Sequence, residues 1–196
     1  MNYQMAPFWF YSGKFVLLVL LAVGSAFTGV TAPIFYGLLA GLVMPVVISM
    51  RLHQLAEKCL VVIPKDLSQW TVYVHGIPVQ ETRNTLTNPC FAIRQQLRAF
   101  FLRAFAIKLL LQCGALILLI SQVWPFRDIW IILGIGLLVA LWLLLKCVET
   151  CKLLAAVVRQ MWLIAEIRSG TDSIWYCAGF GRPEQQIAAL EKLLAI

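Results

Sequence analysis

The chain of 196 residues is 61% hydrophobic and only 13% charged, whereas soluble domains carry about 25% charged residues. One water-soluble core of this size cannot hide so many apolar side chains, so the composition excludes an ordinary soluble domain and predicts helices that face lipid. The formal charge of +7 is explained by the enrichment of cations on the cytosolic side of membrane proteins. Because no recognition motif accompanies it, we expect no nucleic-acid partner.

The first hydrophobic block contains no charged residue between positions 15 and 50. One straight helix of that length would measure about 54 Å, whereas the hydrocarbon core of a bilayer is about 30 Å thick. Turn-prone residues at 29–33 divide the block, which predicts a hairpin with spans at about 15–30 and 33–50. No basic residue precedes Lys14, so we expect a retained hairpin rather than a cleaved signal peptide.

The second hydrophobic block extends from about 105 to 146 and is interrupted at Ser121–Asp128 by a proline, charged residues and aromatic residues. This composition is typical of a turn at the membrane interface, and it predicts spans at about 106–123 and 129–146. The spans hold almost no ionisable groups, which argues against an ion-coupled transporter. Lys108 lies at a span end, and we expect its amine to reach the surface.

Basic residues determine the predicted orientation. Eight of them lie within 51–108 and five lie in the tail after Lys146, whereas the two short turns together hold only Arg127. The positive-inside rule therefore predicts that the middle loop, the tail and both termini are cytosolic, in an integral protein of a bacterial inner membrane.

The predicted fold class is an all-α membrane protein with four transmembrane helices in two short hairpins, cytosolic helical extensions and short β segments. In chain order, the predicted domains are the N-terminal tail with the first hairpin (1–50), a cytosolic loop (51–104), the second hairpin (105–146) and a cytosolic helical tail (147–196).

The cytosolic segments are predicted to be folded. Helices continue the second span over 51–62 and the fourth span over 147–168, and a last helix begins at Pro183, because proline suits a first helical turn. The β-prone runs 70–74 and 174–177 predict short strands.

Two stretches share a residue pattern, which is consistent either with two parallel repeats or with two ordinary turns. They are Ser68-x-Trp70 with Gly76-x-Pro78-x-Gln80, and Ser173-x-Trp175 with Gly181-x-Pro183-x-Gln185.

The segment 91–105, with the sequence FAIRQQLRAFFLRAF, combines arginines with a row of phenylalanines. This pattern is typical of a helix that lies in the membrane interface, although a plain extension of the third span would also explain it. The predicted lipid contacts are Arg94, Arg98 and Arg103 toward anionic headgroups and Phe100 and Phe101 toward the acyl chains.

Six cysteines are present, without a CxxC motif: Cys59, Cys90, Cys113, Cys147, Cys151 and Cys177. Five lie in segments predicted to be cytosolic, where disulfides are rare, so we expect free thiols. Neither the cysteines nor the two histidines form a metal-site pattern. No catalytic motif is present, and we expect no catalytic, cofactor-binding or metal site.

Two kinds of contact are predicted from residue type. Gly37 and Gly41 form a GxxxG pattern that allows close helix packing. Aromatic residues outside the spans are candidate anchors for a protein partner, and these are Trp70, Tyr73, Trp162, Trp175 and Tyr176.

The favoured function is that of a non-enzymatic structural or interaction subunit of a larger membrane assembly, by analogy of plan with small proteins of secretion, conjugative transfer or exclusion systems. Anionic lipid headgroups and other membrane proteins, or further copies of the chain, are the expected partners. The alternatives are a membrane-shaping protein whose hairpins enter one leaflet, and a transporter or channel subunit for an uncharged solute.

Overall fold

A computed structural model of the chain describes most of its residues. The described positions are 20, 22–27, 29–63, 67–74, 77–84, 88–126, 129–168, 174–182 and 185–195. The chain divides into two compact units, each built from separate stretches of sequence. The helical unit comprises Met1–Val43, Ile107–Cys151 and Ile196, and the sheet unit comprises Met44–Ala106 and Lys152–Ala195.

Long apolar helices dominate the described residues. Helix α1 covers Ala32–Glu57, with a π-helical stretch at Leu39–Val43, helix α2 covers Arg94–Val123, and helix α3 covers Trp130–Val158. All three are long and apolar enough to cross a membrane, which agrees with the membrane location predicted from composition. A short helix α4, Ala189–Leu194, lies near the end of the chain.

The helical unit combines a small buried core with an apolar outer surface. Tyr36 is fully buried and its ring packs edge-on against Trp142, with centroids 5.6 Å apart. Around it lie Val30, Ala115, Leu119, Val139 and Leu143. Large aliphatic side chains are exposed at many other positions of α2 and α3, as lipid-facing helices require, and they include Leu110, Ile117, Ile120, Ile131, Leu137, Leu138 and Leu145.

The sheet unit contains two antiparallel sheets. The larger sheet has the strand order β1 to β4 to β6 to β5, and β7 also pairs with β6. Its strands are β1 (Val61–Val62), β4 (Cys90–Phe91), β5 (Leu163–Arg168), β6 (Ile174–Arg182) and β7 (Gln185–Ala188). The smaller sheet is a hairpin of β2 (Leu67–Val74) and β3 (Ile77–Asn84).

An aromatic cluster fills the core of the sheet unit. The ring of Phe101 lies 5.3 Å from that of Phe100 and 5.7 Å from that of Trp162, measured between centroids. Phe180 in turn packs against Trp162 at 6.1 Å and against Phe105 at 5.9 Å. Such aromatic pairs add stability beyond the area that they bury, so this cluster holds α2 against the sheet.

Three predicted helices are shorter than expected. The helix expected over 51–62 ends at Glu57, because Val61–Val62 forms strand β1 and pairs with β4. The other two are replaced in part by strands that pair with β6. The fourth span continues as a helix only to Val158, after which Gln160 adopts a positive φ of 57° and β5 follows. The last helix is limited to α4 because β7 precedes it. In both places pairing with β6 overrides local helix propensity, which is a weak determinant compared with tertiary contacts. The strands predicted at 70–74 and 174–177 are confirmed as parts of β2 and β6.

The shared residue pattern occupies different positions in the two hairpins. Pro78 lies inside β3, paired with Tyr73, whereas Gly181 pairs with Gln186 in the hairpin of β6 and β7. The shared motif therefore lies at a different distance from the turn in each hairpin. The two stretches are not structurally equivalent at the turn.

Candidate interaction surface

The larger sheet has one face on the core and one face turned away from it. Residues directly opposite each other on antiparallel strands share a face, and Ile164 pairs with Ala178 while Phe91 pairs with Tyr176. All four of these side chains belong to or pack on the aromatic core. The core face of the sheet is therefore covered within the protein itself.

The outer face carries the alternate residues of the same strands. On it Ala165 pairs with Cys177, Leu163 pairs with Gly179, and Ile167 pairs with Trp175. Ala165 and Ile167 of β5 are exposed, whereas Cys177 and Gly179 of β6 are buried. The accessible part of the outer face is therefore the part that β5 forms.

A disulfide joins two strands on the outer face. Cys90 and Cys177 lie opposite each other in the pairing of β4 with β6, and both are buried. The expectation of free thiols is thus wrong for this pair, because strand pairing brings together two cysteines that lie 87 residues apart. The other four cysteines, Cys59, Cys113, Cys147 and Cys151, are free.

A cleft opens beside this disulfide on the outer face. Its volume is about 210 Å³, and it is lined by Asn88, Ala165, Cys177, Gly179, Gln186 and Ala188, with Ala178 and Ile187. The Asn88 side chain donates a hydrogen bond to the carbonyl of Ala178, while its amide oxygen is buried and has no hydrogen-bond partner among the described residues. The small residues make the cleft shallow, and the amide groups offer polar contacts to an occupant.

The outermost strand of the sheet has an open edge. β5 pairs with β6 along one side, and no strand of the described chain pairs along the other. Unpaired backbone N–H and C=O groups at such an edge are a ready template for another strand.

The predicted lipid-contacting helix is instead part of the protein core. Phe101 is 0% exposed and Phe100 is partly buried, and both pack in the aromatic cluster. The prediction that Phe101 contacts lipid is therefore wrong, since the rings of Phe91, Phe105 and Trp162 pack around it. Arg98 donates a hydrogen bond of 2.8 Å to the carbonyl of Val158. Arg94 and Arg103 are exposed, and their contact with headgroups stays a prediction.

The predicted partner anchors have different environments. Trp162 is 7% exposed and lies in the core, so its role as a surface anchor is wrong. Trp175 and Tyr176 are half-buried, and Tyr176 packs on the core. Trp70 and Tyr73 lie in β2, but their side chains are outside the described residues, and their role as anchors stays a prediction.

Close helix packing occurs at a different glycine from the predicted pair. A Cβ at Gly37 would meet no described atom within 4 Å, whereas a Cβ at Gly136 would lie 2.7 Å from Cγ2 of Val123. The tight approach therefore joins α3 to α2, and the packing role of Gly37 stays a prediction. Gly41 lies in the π-helical stretch, and its packing role stays a prediction.

Buried polar side chains connect the helices of the helical unit. The Gln112 amide donates a hydrogen bond of 3.1 Å to the Tyr36 hydroxyl, and both residues are fully buried. Lys108, which was expected to reach the surface, is also buried. The sequence signal for this contact is a glutamine within an apolar run, because a polar group inside a membrane helix needs a hydrogen-bond partner on another helix.

Three of the free thiols lie together in the helical unit. The Cys147 thiol lies near those of Cys113 on α2 and Cys151 one turn further along α3. In the described part of the chain, no group of histidine, cysteine and acidic side chains is arranged to hold a metal ion. The thiol contacts therefore count as helix packing.

No protein-family model, curated protein or solved structure matches this chain.

Proposed function

We propose that the protein is a non-enzymatic structural or interaction subunit of a larger membrane assembly. Its apolar helices anchor it in the bilayer, in four spans that form two hairpins, and its sheet unit is the part that binds other proteins. Each part of the chain thus has its own role in this function: the lipid-facing helices hold the protein in the membrane, and the folded sheet unit binds the partner.

The observation that carries the proposal is the open edge of the larger sheet along β5. Ala165, Glu166 and Ile167 are consecutive in β5 and all exposed, whereas a strand covered on one face would bury every second residue. Exposed strand edges are normally shielded, because they promote association. An edge left open beside a preformed cleft supports binding of a protein segment by strand addition.

The location that goes with this function is a bacterial inner membrane with both termini in the cytosol. Its support is the excess of basic residues in 51–108 and in the tail. The Cys90–Cys177 disulfide favours the opposite orientation, because disulfides persist in oxidising compartments. We give the basic residues more weight, because they are many and the disulfide is a single bond.

Purification from the native membrane tests the proposed function. A tagged chain extracted in mild detergent is expected to retain specific membrane proteins, identified by mass spectrometry. The variant Ile167→Glu, which places a charge on the open strand, should lose them, while Met161→Glu, at an exposed position before the strand, should keep them. A chain that purifies alone under conditions that preserve known assemblies contradicts the proposal.

Labelling with a membrane-impermeant maleimide tests orientation and separates the alternatives. Cys59 is exposed in the sheet unit, so it reports that side when Cys113, Cys147 and Cys151 are replaced by serine, and Asp128→Cys reports the second turn. We expect Asp128→Cys to react in intact cells and Cys59 only after permeabilisation. The reverse pattern would invert the orientation. Protection of both from outside would favour hairpins that enter one leaflet and shape the membrane.

A further inference from the structure

The open edge of β5 has a sequence that complements itself. In an antiparallel pairing of two β5 strands about Ile167, each Ile167 faces the other, and Glu166 of one strand faces Arg168 of its neighbour. Opposite charges directly across a strand pair stabilise it, and like charges destabilise it. This register therefore places Ile167 opposite Ile167 on one face of the joined sheet, and Glu166 opposite Arg168 at the two flanking positions, which belong to the other face.

Neighbouring registers are less favourable. A pairing centred on Glu166 places two carboxylates opposite each other, and one centred between Ala165 and Glu166 places Glu166 opposite an alanine. The alternation of charge in the last three residues of β5 thus selects one register out of those available. Selection of a single register is what distinguishes a specific strand pair from unspecific edge association.

Apolar side chains are exposed at the end of the sheet where β5 ends. Ile167 is 48% exposed, and Ile174, at the start of the neighbouring strand β6, is 42% exposed. Ile167 pairs with Trp175, whereas Ile174 pairs with Arg168, so the two isoleucines lie on opposite faces of the sheet. A strand laid along β5 in the register centred on Ile167 would bring a second Ile167 against the first on the outer face.

We propose that two copies of this chain associate through their β5 strands, in an antiparallel pair centred on Ile167, so that the two sheets become one continuous sheet. The contact is isologous, because the same residues of both copies meet about a two-fold axis. This inference rests on the proposed role as an interaction subunit and names the partner as a second copy.

Cysteine crosslinking tests the geometry of the pair in the full-length chain. Cys59, Cys113, Cys147 and Cys151 are replaced by serine, the Cys90–Cys177 disulfide is kept, and Ile167→Cys is introduced. Directly opposed strand positions lie within disulfide distance, so mild oxidation in membranes should convert most of the chain to a covalent dimer. Ile174→Cys is the matched control, because it is similarly exposed but does not face its own copy, and it should crosslink much less.

Charge reversal tests the register. Glu166→Arg or Arg168→Glu alone turns both ion pairs into like-charge contacts and should weaken dimerisation roughly tenfold or more, measured by single-molecule photobleaching or by dilution in detergent. The double variant Glu166→Arg/Arg168→Glu restores opposite charges and should recover the dimer. Equal crosslinking at positions 167 and 174, or a double variant no better than the single ones, would overturn the inference. If other proteins still co-purify in that case, the proposed function stands without the β5 pair.

Discussion

The side chain of Gln122, near the end of α2, caps the start of α1 at Thr31. Its carbonyl oxygen accepts hydrogen bonds from the backbone N–H groups of Thr31 at 2.9 Å and Ala32 at 3.2 Å, and its amide donates to the Thr31 hydroxyl at 2.6 Å. The first N–H groups of a helix lack partners within the helix, and an apolar environment makes such a lack costly. One glutamine therefore ties together two turns that lie 91 residues apart.

Removal of this cap should destabilise the helical unit. Gln122→Leu keeps much of the side-chain volume and loses all three hydrogen bonds, so we expect a loss of about 1–3 kcal/mol in the free energy of unfolding. Denaturation in mild detergent, followed by tryptophan fluorescence, measures it. Ser121→Ala is the control, because that hydroxyl bonds only to Leu118 in its own helix. Equal stability of the two variants would show that the cap contributes nothing.

Two glycines of α3 should respond differently to the same substitution. Gly136→Ala places a methyl group 2.7 Å from the stiff, branched Val123 side chain, and overpacking of this kind costs about 1–3 kcal/mol. Gly134→Ala meets no described atom within 4 Å and should be neutral or stabilising, since alanine favours a helix. Val123→Ala combined with Gly136→Ala should recover part of the loss. Thermal unfolding of the wild type, Gly136→Ala, Val123→Ala and the double variant gives the coupling energy between the two positions. A coupling energy of zero would argue against the close approach of α3 to α2.

The strand disulfide should contribute measurably to the sheet unit. Replacement of Cys90 and Cys177 by alanine opens a loop closed across 87 residues, and loss of such a bond typically costs about 2–4 kcal/mol. Addition of a reductant should lower the stability of the wild type by the same amount as the double substitution does. The double variant should not respond to the reductant. Cys59→Ala, which removes an exposed free thiol, should unfold like the wild type. Insensitivity of the wild type to reductant would mean that the bond does not form in the membrane-embedded protein.

Phe101 should act as a core residue and not as a lipid contact. Phe101→Ala removes a fully buried ring, which typically costs about 3–5 kcal/mol, whereas Ile93→Ala, at an exposed position of the same region, should cost far less. If Phe101 contacted lipid instead, the alanine variant would unfold normally and bind anionic liposomes less well. Parallel measurement of unfolding and liposome binding therefore distinguishes the two roles.

Some of the architecture follows from local sequence because it depends on near neighbours in the chain. Long uncharged runs predicted the apolar helices now seen as α1, α2 and α3, and β-prone runs predicted parts of β2 and β6. For the segment 163–168 the local sequence predicts a helix that continues the fourth span, and this prediction is wrong. Its strand form depends on hydrogen bonds to β6.

Composition and the placement of apolar runs by themselves determined that this is a helix-rich chain suited to a membrane, because the cost of exposing those runs to water does not depend on which segments meet. Only the tertiary structure decided which faces are covered. The burial of Phe101, the Cys90–Cys177 bond, the Gln122 cap and the open edge of β5 each depend on segments far apart in the chain. Those contacts depend on packing and backbone hydrogen bonds between elements that are distant in the chain. The periodicity of the local sequence does not predict them.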